Sequence, residues 1–144
     1  MIALLLALLA DPPAPPASID GLPIGGLAQQ SLPARGCAAY LFSAGATRTL
    51  AAMVTAEPGS IRLALDGVVA DYPRVGGSGS PDMGFAPVSE YRLGEVSATL
   101  EMAVTHRADL TDGALVSSAT LRIDRGAKDG IVLPLGGLIG CAKS

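Results

Sequence analysis

The apolar and polar positions follow three successive rhythms along the chain. Ile2 to Ala10 is an unbroken apolar run that stops at Asp11 and at Pro12, Pro13, Pro15 and Pro16. Residues 11–35 are rich in Pro, Gly, Ala and Gln and show no period. From Gly36 onward the period is two, and no segment carries a capped helical repeat.

That alternation predicts strands. Cys37–Ser43 and Thr49–Ala56 read as two, joined through Ala44 to Thr47. Ile61–Leu65 and Val68–Tyr72 flank Asp66-Gly67, a pair suited to a two-residue turn because both central residues need positive φ. A turn of that length sets Leu65 against Val68, Leu63 against Ala70 and Ile61 against Tyr72 on one apolar face. It sets Arg62 opposite Asp71 on the other face. Val75–Val88, with Gly76-Gly77-Ser78-Gly79-Ser80, reads as irregular. Tyr91–His106 reads as one strand, with Val96, Ala98, Leu100, Met102 and Val104 inward and Glu95, Ser97, Thr99, Glu101 and Thr105 outward. Asp112-Gly113 turns the chain back into Leu115–Asp124, and Ile131, Leu133 and Leu135 continue the inward set. Pro134 belongs on an edge or on an unpaired side. Gly136-Gly137 suggests a bulge or corner before Leu138–Cys141.

About seven or eight short antiparallel strands with turn signals between them predict an all-β domain, a small barrel or a sandwich. The division is residues 1–17 as a signal peptide, 18–35 as a flexible linker with a docked stretch at Ile19–Leu27, and 36–144 as the β domain.

The N-terminal run is too short to span a bilayer, which takes about 20 apolar residues. It fits the apolar centre of a secretory signal, with cleavage after Ala10, Ala14 or Ala17, although no Lys or Arg precedes it. A buried N-terminal helix is the structural alternative. Abundant Ala, Gly and Arg with two Lys and no Asn match a GC-rich bacterial gene, making the compartment periplasmic or extracellular. Cys37 follows Pro33-Ala34-Arg35-Gly36 far from the run, so it is no lipidation site. Two cysteines in an exported chain favour one Cys37–Cys141 disulfide; free thiols would fit a cytosolic protein.

Composition narrows the chemistry. A net charge of -3, with 13 Asp+Glu and 10 Lys+Arg scattered along the chain, gives no nucleic-acid footprint. Hydrophobic residues at 49% against 16% charged support a core. His106 is the only histidine, so a three-ligand zinc set is not available, and it reads as a rim residue. No Gly-x-Ser-x-Gly elbow, dinucleotide fingerprint or phosphate loop occurs. Glu95 and Glu101, on one strand, would stand ~20 Å apart. That is too far for a glycosidase pair at roughly 5–9.5 Å. Glu101 is expected to meet Arg122, and Asp109 and Asp112 to form a turn rather than a calcium loop. No catalytic residue, metal or cofactor is expected. The candidate contact surface is the loop Gly76–Pro87, with Ser78, Met83 and Phe85; the alternative for Phe85 is to pack back on the barrel mouth.

At the level of architecture alone, a small exported barrel with one disulfide resembles the bacterial periplasmic lysozyme inhibitors. The Cys37…Cys141 bracket, and Ser78-Gly79 followed by Tyr91, carry the likeness. The spacing departs, and an extra hairpin lies between Glu101 and Cys141, so no family membership follows. The expectation is a non-enzymatic exported protein with a binding or envelope-associated role. Its partner would be an envelope or extracellular protein, without nucleic acid and without a membrane span in the mature chain. The alternatives are an inhibitor of a cell-wall hydrolase and a His106-dependent hydrolase.

Overall fold

The computed structural model describes residues 14–45 and 48–142. The apolar run and most of the expected signal segment lie outside them. The strands are β1 (Ile24–Gly25), β2 (Cys37–Ser43), β3 (Leu50–Thr55), β4 (Ser60–Leu65), β5 (Val68–Ser78), β6 (Val88–Leu93), β7 (Val96–Thr105), β8 (Gly113–Arg125) and β9 (Lys128–Cys141). From β2 onward each strand pairs antiparallel with the next, and β9 returns to β2. The result is a closed 8-strand barrel with β1 as an added strand. Closure decides for the barrel over the sandwich, and it leaves no long free edge to template aggregation.

The interior is filled. Leu41, Val54, Ile61, Leu63, Leu100, Leu121 and Leu133 are fully or almost fully buried and belong to one cluster drawn from strands all round the barrel. An eight-stranded barrel is just wide enough for its side chains to fill it. The β4–β5 hairpin has the register expected from Asp66-Gly67, with Arg62 against Asp71, Ile61 against Tyr72 and Leu65 against Val68. Both turn residues have positive φ, 51° and 81°. The Arg62 guanidinium donates to Asp71 at 2.7 and 3.1 Å. The pair is solvent-exposed, so a double-mutant cycle on Arg62→Ala and Asp71→Ala should give a coupling below about 1 kcal/mol.

Three elements differ from the sequence expectation. The stretch Tyr91–His106 is two strands, because Gly94 sits at φ 61° and turns β6 into β7 with Leu93 opposite Val96. The expected irregular stretch is shorter, because Gly76, Gly77 and Ser78 extend β5 and pair with Glu90, Ser89 and Val88. Arg74 lies across Gly77, and a side chain there would collide with its guanidinium. Gly136-Gly137 does not turn a corner. β9 runs straight through, and the extra residue is in β8, between Val116 and Ala119. Gly137 is instead a point of close approach, where a Cβ would overlap the carbonyl oxygen of Tyr40. Pro134 takes the unpaired-side option: it faces Thr120 of β8, while β2 ends opposite Leu135.

Residues 18–35 were expected as a linker with a docked stretch, and that stretch is built into the barrel. A turn over 18–22 is closed by the Ile19 N–H on the Ile24 carbonyl at 2.8 Å, and it buries Ile19. Ile24 is 0% exposed within the core, and β1 pairs Ile24 with Leu65 and Gly25 with Ala64. The Leu27 N–H then reaches the Leu50 carbonyl of β3 at 2.7 Å. Beyond it the chain runs outside the wall as a strap. Leu27 packs there with Ala38, Met53 and Ala64, the Tyr40 hydroxyl donates to the Ser31 carbonyl, and Arg62 donates to Gln30. A segment without period therefore supplies both a core residue and the cover of an outer face.

Burial raises the pKa of Tyr40, Tyr72 and Tyr91, all three tyrosines of the chain. For Tyr91 a hydrogen bond with Ser89 and the charge of Arg74 act in the opposite direction, more weakly. A phenol with a raised folded-state pKa favours the folded state while it stays neutral. Its contribution is whole below the unfolded value of about 10 and is lost as pH rises through the folded value. An ultraviolet phenolate titration should therefore show ionisation above the ordinary tyrosine range, coincident with loss of β circular dichroism. Independent ionisation at the ordinary value, with the fold intact, would contradict that.

Candidate functional site

The two ends of the barrel differ. At one end the turns 66–67, 94–95 and 126–127 are tight, and the 18–22 turn caps the opening. Arg125, whose side chain is 9% exposed, ties that end together. Its guanidinium donates to the Asp66 carboxylate at 3.1 and 3.2 Å, and to the Asp129 carbonyl at 2.9 and 3.2 Å. The other end holds the longer connections 79–87 and 106–112, the 56–59 turn, and the disulfide. Cys37 and Cys141 are paired across β2 and β9 with Cα atoms 4.0 Å apart. The Ala56 N–H donates to the Cys37 carbonyl, and the Cys141 N–H to the Asp112 carbonyl, so the bridge also anchors two of the rim connections.

The 79–87 connection is ordered by a small turn of its own. Asp82 and Phe85 exchange backbone hydrogen bonds at 2.8 and 2.9 Å around Met83 and Gly84, both at positive φ. That is the geometry of a two-residue hairpin turn. It directs Phe85 inward, where it is 5% exposed in the core, and leaves Met83 half-buried against the same cluster. Ser78 is exposed at the end of β5. Of the three residues singled out in the sequence, Ser78 alone is fully on the surface. The apolar anchor expected of Phe85 faces the interior because the barrel mouth offers it a dry site.

His106 is at the same rim. Its Nε2 lies 2.9 and 2.8 Å from the two Asp82 carboxylate oxygens, joining the 79–87 and 106–112 connections. Arg107 forms a fork to Asp109 at 3.0 and 2.9 Å. Asp112 has φ 56° and acts through its backbone as a turn residue. Among the described residues, no three His, Cys, Asp or Glu side chains stand close enough to share a metal ion. Glu95 lies in the β6–β7 turn and Glu101 on the outer face of β7, opposite Thr120. Arg122 faces Thr99, so the expected Glu101–Arg122 contact is diagonal and no ion pair forms there.

A second surface, which the sequence reading missed, lies on the outer wall. One cleft of about 430 Å³ is lined by Leu27, Leu32, Tyr40, Phe42, Leu50 and Leu138 with two glutamines of the strap. A neighbouring cleft of about 510 Å³ shares Phe42 and Leu138 and reaches Leu115, Ser117 and Arg48. The signal was present: Cys37–Phe42 is apolar on both of its faces, which a strand with one wet face is not. Among the described residues no helix is long and apolar enough to cross a membrane, a statement that does not bear on strands. No family model, curated protein or solved structure matches this chain.

Proposed function

We propose that the protein is an exported, non-enzymatic barrel with a binding or envelope-associated role, working from its surface rather than its lumen. The observation that carries this reading is the filled interior behind a disulfide that joins the first and last barrel strands. A packed lumen holds no ligand, and a bridged Cys37–Cys141 pair suits an oxidising compartment. The Gly26 N–H donates to the Pro16 carbonyl at 2.8 Å, so cleavage after Ala10 or Ala14 keeps a bond that cleavage after Ala17 would remove. The contact residues belong to the disulfide-end rim or the outer wall, and the partner is an envelope or extracellular component.

Inhibition of a cell-wall hydrolase is the second reading, favoured by the exposed Ser78-Gly79 segment at the disulfide-end rim. Native mass spectrometry of the protein from a periplasmic extract, a pull-down from envelope extract and a lysozyme inhibition assay separate the possibilities. The first reading expects a protein without small-molecule adducts, an envelope partner and no inhibition. Tight stoichiometric inhibition would move the assignment to the second, and a retained lumen ligand would overturn both.

A further inference from the structure

After the exposed Lys128 and Asp129 at its start, the outward row of β9 is Val132, Pro134, Gly136, Leu138 and Gly140, without one polar side chain, and it alternates with a buried row of Ile131, Leu133, Leu135 and Ile139. Tyr40 and Phe42 of β2 stand beside it. Leu32 of the strap is 61% exposed and Leu138 49%. Of 13 Asp+Glu and 10 Lys+Arg in the chain, only Arg48 lines either cleft of this face. Arg48 is exposed and makes no ion pair among the described residues. An apolar face emptied of charge while charge is plentiful elsewhere marks an interface.

Two features choose its occupant. The one ionisable group with a formal charge at the face is cationic, which suits an anionic headgroup layer. The described chain also begins at the edge of this face: Pro15 and Pro16 lie against Gly26 beside Thr49, next to Leu27, Arg48 and Leu50 of the clefts. The described chain thus enters the barrel at the edge of the apolar face, and the sequence that precedes it holds the apolar run Ile2–Ala10. We propose that the β2–β9 outer face rests on an anionic lipid surface, with Leu32, Phe42 and Leu138 entering the interfacial layer and Arg48 among the headgroups. One apolar element gives weak, reversible membrane binding and two give stable anchoring. A chain processed after Ala10 or Ala14 should therefore bind by this face alone, weakly and reversibly. The inference deepens the envelope-associated reading by naming the partner, whereas compartment and thiol state test export separately.

The test is co-flotation of the full chain with vesicles of phosphatidylcholine and phosphatidylglycerol, and with vesicles of phosphatidylcholine alone. The native chain should float with the mixed vesicles. Leu138→Glu should lower the bound-to-free ratio about tenfold or more, the effect of losing one buried leucine. Leu32→Glu should act alike should Leu138→Glu disturb the melting temperature. Arg48→Gln should bring binding down to the level on neutral vesicles. Leu93→Glu, on the far side of the barrel, should change nothing. The proposal is overturned if the native chain stays in solution, or if neither leucine variant weakens flotation, since the N-terminal run alone would then carry it. It is equally overturned if Leu93→Glu is as damaging. A native dimer that Leu138→Glu converts to a monomer, without vesicle binding, would assign the face to a second copy.

Discussion

Reduction of the Cys37–Cys141 bridge is expected to remove about 4–5 kcal/mol of stability and to lower the melting temperature by roughly 10–20 °C. The bridge closes a loop with a sequence separation of 104, near the top of the range in which constraint of the unfolded chain grows with loop length. The native side reinforces the effect. Cys37 opposes Cys141 directly, and the backbones on either side hold the 56–59 turn and Asp112 by hydrogen bonds. Loss of the bridge therefore loosens the seam between β2 and β9 and the rim built on it. Thermal unfolding with and without reductant, compared with a Cys37→Ala, Cys141→Ala chain, reads the effect. Equal melting temperatures in all three would remove the bridge from the stability account.

Ile24→Ala should cost about 2–5 kcal/mol, the ordinary penalty for truncating a fully buried isoleucine. Ile24 is 0% exposed, pairs with Leu65 and sits in the same cluster as Leu41, Leu63 and Leu121. Its segment also donates and accepts the hydrogen bonds that join β3 and β4 where those strands part. Truncation leaves a cavity at the capped end, and the neighbouring strands are held too firmly to collapse into it. Chemical denaturation should show a lower midpoint with an unchanged slope. A midpoint equal to that of the native chain would make 18–35 a passive linker.

The contrast between the bridge and Ile24 explains what the sequence discloses. Cys37 and Cys141 announce their bond because the chain holds two cysteines and its N-terminal run is the pattern expected of an exported protein. The Asp66-Gly67 hairpin is legible for a local reason: the turn chemistry, the apolar pairing and the Arg62–Asp71 pair all specify one register. Ile24 is hidden because its partners are Leu65 and the core, both supplied by tertiary structure, and nothing periodic surrounds it. The Gly94 turn had a signal, a change of phase: Tyr91 is inward at an odd position, whereas Val96, Ala98 and Leu100 are inward at even ones. Gly76 to Ser78 read as loop by composition, yet those residues pair in β5, where the overlying Arg74 leaves no room for a side chain at Gly77. The rim was legible only as a long connection. That Phe85 turns inward follows from the Met83-Gly84 turn, which no dipeptide of the usual hairpin kind announced. The outer apolar face is written in Tyr40, Phe42 and Leu138, but it becomes one surface only when β9 returns to β2.

The proposed export joins these parts, because the oxidised bridge suits it and the expected N-terminal processing and proposed surface-borne role depend on it. The most direct measurement is to express the full chain in a Gram-negative host, fractionate the cells, and determine the N-terminal residue and the thiol state of the recovered protein. The account predicts a periplasmic or secreted protein beginning at Asp11 or Pro15, with no thiol open to maleimide until it is reduced. A cytosolic protein of full mass, retaining Met1 or Ile2 and carrying two reactive thiols, would contradict it.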